Sequence, residues 1–366
     1  MVAGRCAVKL IDRYLARAVL WYAVLVMAVL MVLSCLFVFI SEQREVGTGN
    51  YTLMDAVVVT LLDAPTQLGA FLPLGALIGA LLGLGQLARG SELIVLRASG
   101  VSVLRIGAAA ALAGVALSVV LWIDTEYLAP PLEHYAQVYK TFAKSSGLKL
   151  AGGSNNWVKD GDRLISVEQQ SGENIFGGVY VFTMTTDADG GRHLVSVAHA
   201  DSATLLHDHL WRIDNLVATD IGPDRVTVRH LLHTEVTSDV NPQFLGLAVV
   251  DPDSLPARGI YRYIQHLHSN GLDARLYEVA FWTRIARNLA VVLVCLLAVP
   301  FVFGPLRSSG AGARMMIGIG IGVAYFLVSR MLENSGQVYG LHPLFVGWAP
   351  TAALAIAAAI GLIRTG

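Results

Sequence analysis

Stretches without a charged residue recur along the chain, and they have the length of membrane-spanning helices. A helix rises about 1.5 Å per residue, so about 20 apolar residues cross the roughly 30 Å hydrocarbon core of a bilayer. The pattern predicts six spans, at residues 18–40, 64–88, 106–123, 288–306, 315–329 and 344–363. The fifth run is short, but Met331 and Leu332 continue it beyond Arg330. The first run is longer than the apolar core of a signal peptide, about 7–15 residues, so it too is predicted to span.

Lysine and arginine are distributed unevenly between the two sides of these predicted spans. Ten lie at the chain ends and in the short loops of one side, against Arg44 alone in the short loops opposite. Because short cytoplasmic loops carry the excess of basic residues, both termini are predicted to be cytoplasmic and the long middle segment extracytoplasmic. The ten are Arg5, Lys9, Arg13, Arg17, Arg89, Arg97, Arg105, Arg307, Arg314 and Arg364.

The polar middle of the chain, residues 132–270, has the alternating pattern of short β-strands. Asp160 and Gly161 separate two alternating stretches, which is typical of a β-hairpin, and more strand-like stretches follow at intervals of about 8–12 residues. This spacing predicts a sandwich or jelly roll, followed by a short helix at about residues 256–269 that ends at Asn270 and Gly271. With 11 basic and 16 acidic residues and no cysteine, the segment must form its core without disulfides.

The predicted fold class is therefore an α-helical bundle of six transmembrane helices plus an all-β, jelly-roll-like domain inserted between helices 3 and 4. Helices 1–3 and a cytoplasmic helix near residues 90–100 occupy residues 1–131. The β domain occupies residues 132–270, and helices 4–6 occupy residues 271–366.

Composition and missing motifs exclude several functions. The chain is 55% hydrophobic and only 14% charged, whereas a soluble protein has about 25% charged residues. A net charge of −1 argues against a general nucleic-acid-binding protein. Gly-Lys does not occur, which excludes the common phosphate-binding loop, and HExxH and GxSxG are also absent. We therefore predict no catalytic site and no cofactor in this chain.

All ten histidines lie on the predicted outer side, and two pairs have i, i+2 spacing. On a strand this spacing places both rings on one face, as a zinc site requires. However, His207 and His209 lie in a predicted turn, and His266 and His268 lie on a predicted helix, where the rings diverge. No metal site is predicted.

The segment between the second and third spans has the features of a short amphipathic helix on the cytoplasmic side. Ser91 is predicted to cap it, Glu92 lies near its positive end, Arg97 near its negative end, and Gly100 stops it. Two interpretations stay open, a connector on the membrane surface or a knob that inserts into a groove on a cytoplasmic partner. The residues that would form this site are Ser91, Glu92, Leu93, Leu96, Arg97 and Gly100.

Small residues at helical spacing mark two of the spans. Gly75, Gly79 and Gly83 are four residues apart in the second span, and Gly318 and Gly322 repeat the spacing in the fifth. Such a ridge allows the backbone of another helix to approach closely. The pattern fits packing within the chain and contact with another subunit equally well.

Four arginines lie where the predicted spans meet the outer leaflet: Arg44, Arg284, Arg287 and Arg330. One interpretation is that these side chains reach the phospholipid headgroups as isolated residues. The other is a site for an anionic amphiphile, because the planar guanidinium suits phosphate.

Together these features resemble the LptF/LptG permeases of the bacterial lipopolysaccharide exporter, and the LptG branch more closely than the LptF branch. The residues that carry the resemblance are IDRYL at 11–15, GTGNY at 47–51, PLGALIGALLGLGQLARGSELIVLRASG at 73–100, PFVFGPLRS at 300–308 and VYGLHP at 338–343. The resemblance runs from the amino end to the last span. It implies a multi-pass protein of the inner membrane with a periplasmic β domain.

The resemblance also implies partners and roles. Permeases of this kind pair with an LptF-like permease and bind a dimer of the cytoplasmic ATPase LptB, which supplies ATP hydrolysis. They pass lipopolysaccharide from the outer leaflet of the inner membrane to a single-span LptC and a periplasmic LptA bridge. By the same resemblance, residues 91–100 form the coupling helix on LptB with Glu92 as its main polar contact, and spans one and five line the gate. Arg44 matches a basic position near lipid phosphates, although Val38 and Glu45 depart from the lysines of some relatives.

Other classes remain open on the residues alone. They are a permease for another lipid or a lipoprotein, a secondary transporter, and a membrane-anchored sensor of a periplasmic ligand. The spans at residues 64–88, 106–123 and 344–363 contain no ionisable residue, which disfavours a secondary transporter. The inner loops are too short for a sensor's output domain.

Overall fold

The helices of the chain are longer than its apolar runs and extend beyond the expected membrane boundaries. The computed structural model describes residues 2–144, 156–160, 162–172, 175–186, 192–207, 210–222, 225–237, 252–303 and 311–365. The helices are α1 (Val2–Gln43), α2 (Leu53–Arg89), α3 (Glu92–Ala98), α4 (Val103–Ile123), α5 (Ala129–Lys144), α6 (Ala257–Ser269), α7 (Arg275–Phe303), α8 (Ala311–Tyr339) and α9 (Pro343–Thr365). A π-helical segment, Asp124–Leu128, joins α4 to α5, and a 3-10 turn, Pro252–Ser254, precedes α6.

Within the described ranges, six helices are long and apolar enough to cross a membrane, as predicted. They are Leu10–Gln43, Leu53–Arg89, Val103–Lys140, Arg275–Phe303, Met316–Gly336 and Pro343–Thr365. Each predicted run overlaps one of these helices, and the end of the fourth run, residues 304–306, lies outside the described residues. The third span is continuous through the π-helical segment, so residues 132–144, assigned above to the β domain, are helical.

The glycine ridge of α2 packs against α1 in the same chain. A Cβ added to Gly79 would lie 2.5 Å from the main-chain nitrogen of Ala23, and one added to Gly83 would lie 3.0 Å from the Ala18 carbonyl oxygen. Gly75 faces the side chain of Met27. Only glycine permits this approach of two backbones, so the ridge positions α1 against α2.

The glycines of α8 also face α2, but they meet side chains there. A Cβ on Gly322 would lie 2.7 Å from Leu74 and 3.0 Å from Leu77, and one on Gly318 would overlap Leu81. Both glycine patterns therefore serve contacts within the chain. A contact with another subunit stays a prediction.

The described strands form one antiparallel sheet in sequential order, β1-β2-β3-β4-β5-β6. The predicted hairpin is confirmed, because Asp160 pairs with Arg163 across the first turn. The strands are β1 (Asn156–Asp160), β2 (Arg163–Gly172), β3 (Ile175–Thr186), β4 (Arg192–His207), β5 (Leu210–Ile221) and β6 (Val226–Thr237). The prediction of a β domain between the third and fourth spans is thereby confirmed. The described strands form a single sheet, so the two packed sheets of a sandwich or jelly roll stay a prediction.

One face of the sheet forms an apolar core with α6 and the start of α7. The rings of Phe176 and Trp211 lie 5.6 Å apart in this core, beside Ile260 and Ile264 of α6. The predicted helix stop is also confirmed, since α6 ends before Asn270 and Gly271 adopts a φ of +62°. The β domain is thus packed onto the helix that leads into the fourth span.

Candidate functional site

Helix α3 and three long helices meet at one end of the bundle, opposite the β domain. The Tyr14 hydroxyl of α1 donates a 2.8 Å hydrogen bond to Glu92 of α3. Arg105 of α4 forms a two-pronged pair with Asp12 of α1, with both contacts at 3.2 Å. We refer to this as the α3 end of the bundle, and the opposite one as the β-domain end.

Helix α3 is anchored by one leucine and exposes two other apolar residues. Leu93 is 1% exposed in the bundle core, whereas Ile94 is 50% and Val95 65% exposed. Leu96 is partly buried against the same core, and the guanidinium of Arg97 lies 5.6 Å from the ring centre of Phe303 at the end of α7. The predicted helix is present, with an exposed apolar edge that no described part of the chain covers.

The predicted capping role of Ser91 is wrong. Ser91 adopts a left-handed φ of 61°, and its side chain makes no capping hydrogen bond, whereas a capping residue has extended backbone. The reason is that Gly90 has a φ of −72°, so the two-residue turn between α2 and α3 takes its left-handed conformation at Ser91 instead. At the other end the prediction is right, because α3 stops at Ala98 and Gly100 has a φ of +92°.

At the β-domain end, two of the four predicted arginines share one carboxylate. Arg287 of α7 and Arg330 of α8 lie 3.5 Å and 3.3 Å from the two oxygens of Glu333. These three side chains line a cavity of about 210 Å³ between α7 and α8. Thr283 also lines it, and an adjoining cleft with the same four residues continues toward α2 and α9.

The partners of Arg284 in the structure are main-chain carbonyls, not the lipid headgroups or phosphates that the sequence indicates. Arg284 donates hydrogen bonds to the main-chain carbonyls of Leu255, at 2.7 Å, and Pro252, at 3.2 Å. Arg284 lies at the rim of the cavity, but its guanidinium is hydrogen-bonded to the segment that leads out of the β domain.

Arg44 does not line this cavity. It lies exposed just beyond the end of α1, in a turn that is tied to α5. Lys140 of α5 contacts Glu42 at 2.8 Å and Glu45 at 3.3 Å, and Lys144 also pairs with Glu45. The structure therefore groups Arg287 with Arg330, and it separates Arg44 from them.

Tyr51 is buried on the inner side of the same turn. Its hydroxyl donates a 2.9 Å hydrogen bond to Glu42. Burial, together with this hydrogen bond, raises the pKa of Tyr51 well above its usual range. The phenol therefore stays protonated and remains a donor at neutral pH.

Among the described residues, no three histidine, cysteine, aspartate or glutamate side chains are grouped so as to hold a metal ion. His268 lies 3.0 Å from Glu278 instead, and residues 208–209, beside His207, lie outside the described part. The absence of a metal site stays a prediction.

Several contacts of these sites could not be predicted from the sequence. Tyr14 and Asp12 belong to the IDRYL motif, but their partners Glu92 and Arg105 lie on other helices far away in the chain. Nothing local distinguishes Thr283. Glu333 is identifiable from the sequence as a charge where the fifth span meets the outer leaflet, and because it follows Arg330 by three residues it lies on the same helix face.

Six helices that are long and apolar enough to span a membrane, with a β domain between the third and the fourth, define a polytopic membrane protein. The family model described as "Lipopolysaccharide export system permease LptF/LptG" matches residues 13–364. The chain is 30% identical over 344 residues to the Escherichia coli K12 protein "Lipopolysaccharide export system permease protein LptG", covering 93% of this chain and 94% of that protein. It is 32% identical over 346 residues to the Haemophilus influenzae protein of the same name, covering 94% and 95%. The chain belongs to the LptF/LptG family, and the resemblance to LptG is confirmed.

Proposed function

We propose that this chain is a permease subunit that extracts lipopolysaccharide from the outer leaflet of the bacterial inner membrane and passes it toward the outer membrane. A separate cytoplasmic ATPase supplies the energy, so this chain is a transport subunit and not itself an enzyme. Family membership over nearly the whole chain supports transport of this lipid.

The observation that carries the proposal is the exposed apolar edge of α3. Ile94 and Val95 project from a helix that Leu93 fixes to the bundle. The α3 end also carries the excess of basic residues, which favours a cytoplasmic location. An apolar edge flanked by Glu92 and Arg97 has the chemistry of a helix that seats in a partner's groove. Movement of such a partner would be transmitted directly to α2 and α4, which α3 connects.

The lipid path is proposed to run along α1 and α8. These are the least buried of the six spanning helices within the chain, so they have apolar faces free for a second permease and for acyl chains. The faces of α1 and α8 would thus complete a cavity with an LptF-like subunit. The β domain would receive the lipid and hand it to LptC-like and LptA-like proteins in the periplasm.

Copurification tests the coupling role directly. The chain is coexpressed with the candidate ATPase and the second permease, and ATPase recovery and lipopolysaccharide release are measured for Glu92→Ala and for Ile94→Ser with Val95→Ser. We expect both variants to lose ATPase binding by about tenfold or more, because interface anchors commonly contribute that much. Glu235→Ala, an exposed glutamate on β6 and so far from α3, is the matched control for ATPase recovery.

Two results would count against the proposal in different ways. Retention of both ATPase binding and lipid release by the α3 variants would remove the coupling role. Release of phospholipid or lipoprotein in place of lipopolysaccharide by the intact complex would leave a permease with another cargo.

A further inference from the structure

The cavity between α7 and α8 has an excess of positive charge. Its lining contains three guanidinium groups, those of Arg284, Arg287 and Arg330, and one carboxylate, that of Glu333. Arg284 is engaged with main-chain carbonyls, whereas Arg287 and Arg330 share Glu333. The side chains of Arg287 and Glu333 are only 23% and 15% exposed, respectively. An arginine that merely reaches for headgroups would keep its charged end in the solvent. Arg287 and Glu333 are instead largely buried, whereas the side chain of Arg330 is 43% exposed and its guanidinium also lies 5.8 Å from the ring centre of Phe326. Arg287, Arg330 and Glu333 together carry a net charge of about +1, because one carboxylate neutralises only one of two cations.

The Glu333 carboxylate lies at a long distance from each of its two arginine partners. Its oxygens lie 3.5 Å from Arg287 and 3.3 Å from Arg330, whereas a strong charged pair has a separation of about 2.7–2.9 Å. Glu333 therefore bridges two cations without forming a close bond to either. A group with more acceptor oxygens would satisfy both guanidinium groups better.

A second observation indicates a ligand. Thr283 is only 8% exposed, and its hydroxyl oxygen has no hydrogen-bond partner. It lines the cavity beside Arg287. Because buried polar groups are nearly always hydrogen-bonded, an unpaired hydroxyl in a polar cavity is a vacant donor for a bound molecule.

Size and position limit what this molecule is. The cavity of about 210 Å³ accommodates a group of several heavy atoms, but it is smaller than the roughly 300–1,000 Å³ of sites that enclose a whole ligand. Arg287 directly precedes the charge-free part of α7 that begins at Asn288. This is the level of lipid headgroups, so the acyl chains would remain outside in the bilayer.

We propose that this pocket binds a phosphate group of a lipid headgroup, with Arg287, Arg330 and Thr283 as donors and Glu333 as a displaceable counter-ion. In this structure Glu333 bridges the two arginines. When a phosphate enters, its oxygens replace the carboxylate at Arg287 and Arg330 and accept from Thr283. The pocket lies between two helices of one chain. It rests on the proposed function only for the identity of the lipid, since any phosphate-bearing headgroup has the required chemistry.

Substitutions at this pocket separate a binding site from a structural ion pair by the sign of their effects. Arg287→Gln and Arg330→Gln are expected to reduce phosphate binding by about tenfold, since each removes a charged hydrogen bond. Glu333→Gln is expected to increase it several-fold, because it removes the competing charge while keeping the shape. A purely structural bridge would be weakened by all three. Arg262→Gln, an exposed arginine on α6, is the control.

The measurement is photocrosslinking with the full chain in phosphatidylcholine nanodiscs, without ATPase or partners. A benzophenone amino acid replaces Leu276, which lines the cavity, and thermal unfolding verifies that each variant is folded. The probes are lipopolysaccharide, lipopolysaccharide stripped of its lipid A phosphates, and phosphatidylglycerol, each with and without inorganic phosphate as competitor.

Each result decides a point. Crosslinking that is lost with the stripped lipid and increased by Glu333→Gln supports the proposal. Competition by inorganic phosphate then assigns recognition to the phosphate alone, and resistance to it assigns recognition to phosphate presented at the membrane. Crosslinking of phosphatidylglycerol but not of lipopolysaccharide would keep the pocket and contradict the proposed cargo. Equal crosslinking of the stripped lipid, or weaker crosslinking by Glu333→Gln, would overturn the pocket and leave the transport function untouched.

Discussion

The main-chain N–H of Ala257, the first residue of α6, donates a 2.8 Å hydrogen bond to the carboxylate of Glu126. Glu126 lies in the π-helical segment that continues α4. From the other side, Arg284 of α7 holds the carbonyls of Leu255 and Pro252. The segment that leads out of the β domain is thus fixed between two spanning helices, and we call residues 252–257 the joint.

Removing the carboxylate at position 126 should loosen the joint at one end only. Glu126→Ala leaves the first turn of α6 without its acceptor and is expected to cost about 1 kcal/mol of local stability, as loss of a helix cap does. Hydrogen exchange should accelerate at residues 257–260. Glu278→Ala is the control, because Glu278 contacts His268 in the last turn of α6. Equal acceleration at both ends of α6 in either variant would contradict this assignment.

Tyr14 and Glu92 should have separable effects on the α3 end. Tyr14→Phe removes only the donor to Glu92, and an exposed hydrogen bond of this kind contributes about 1 kcal/mol or less. We therefore expect Tyr14→Phe to preserve ATPase recovery, whereas Glu92→Ala reduces it. If Tyr14→Phe alone abolished recovery, the hydrogen bond itself, rather than the free face of α3, would be the essential feature.

Two glycines of α2 should respond to alanine in opposite directions. At Gly79 a Cβ would overlap the backbone of Ala23, so Gly79→Ala is expected to destabilise the chain by about 1–3 kcal/mol. At Gly85 a Cβ would meet nothing within 4 Å. Gly85→Ala is therefore expected to stabilise the helix by up to about 1 kcal/mol. Thermal unfolding in one detergent measures both, and a loss of stability in Gly85→Ala would contradict the open space beside Gly85.

The sheet should lose one stabilising contact in acid. The 2.8 Å hydrogen bond with the His233 ring, and to a smaller extent that from Ser202, lower the pKa of Asp214, while burial opposes the shift. A carboxylate with a lowered pKa stabilises the fold above its unfolded pKa, about 3.9, and this stability is lost as the pH falls through the folded value.

The test is thermal unfolding of the full chain between about pH 3 and 7. Asp214→Asn should be less stable than the parent above about pH 4, and the difference should shrink toward lower pH. Ser202→Ala should show a smaller difference with the same trend. A difference that grew in acid would reverse the sign and exclude the Asp214 carboxylate as its source.

The sequence predicts the elements that depend on local chemistry. Absence of charge over helix-length runs locates the spans, and the turn at Asp160 and the stop at Gly271 follow from residues adjacent in the chain. The helical continuation to Lys144 escapes prediction because α5 is polar, and its contacts, such as Thr66 with Glu133 at 3.3 Å, come from α2. The capping prediction for Ser91 is wrong for a related reason, because the geometry of the two-residue turn overrides the preference of serine for a capping position.

Two of the arginines show that the type of a side chain does not by itself determine its role. Arg284 and Arg287 are three residues apart and are equivalent in the sequence, yet one binds main-chain carbonyls and the other shares a carboxylate 46 positions away. Every residue has a main-chain carbonyl, so the sequence does not reveal which carbonyls accept a hydrogen bond from Arg284. Only the packing of the joint distinguishes the two residues.

The close fit between Gly79 and Ala23 sets the mechanical character of the bundle. Two backbones in direct contact resist sliding, because any shift brings main-chain atoms into collision. Helix α8 meets α2 through the tips of Leu74, Leu77 and Leu81, and such tips can change rotamer. We therefore expect α1 and α2 to move together as one rigid unit, whereas α8 can shift relative to them through rotamer changes at its contacts.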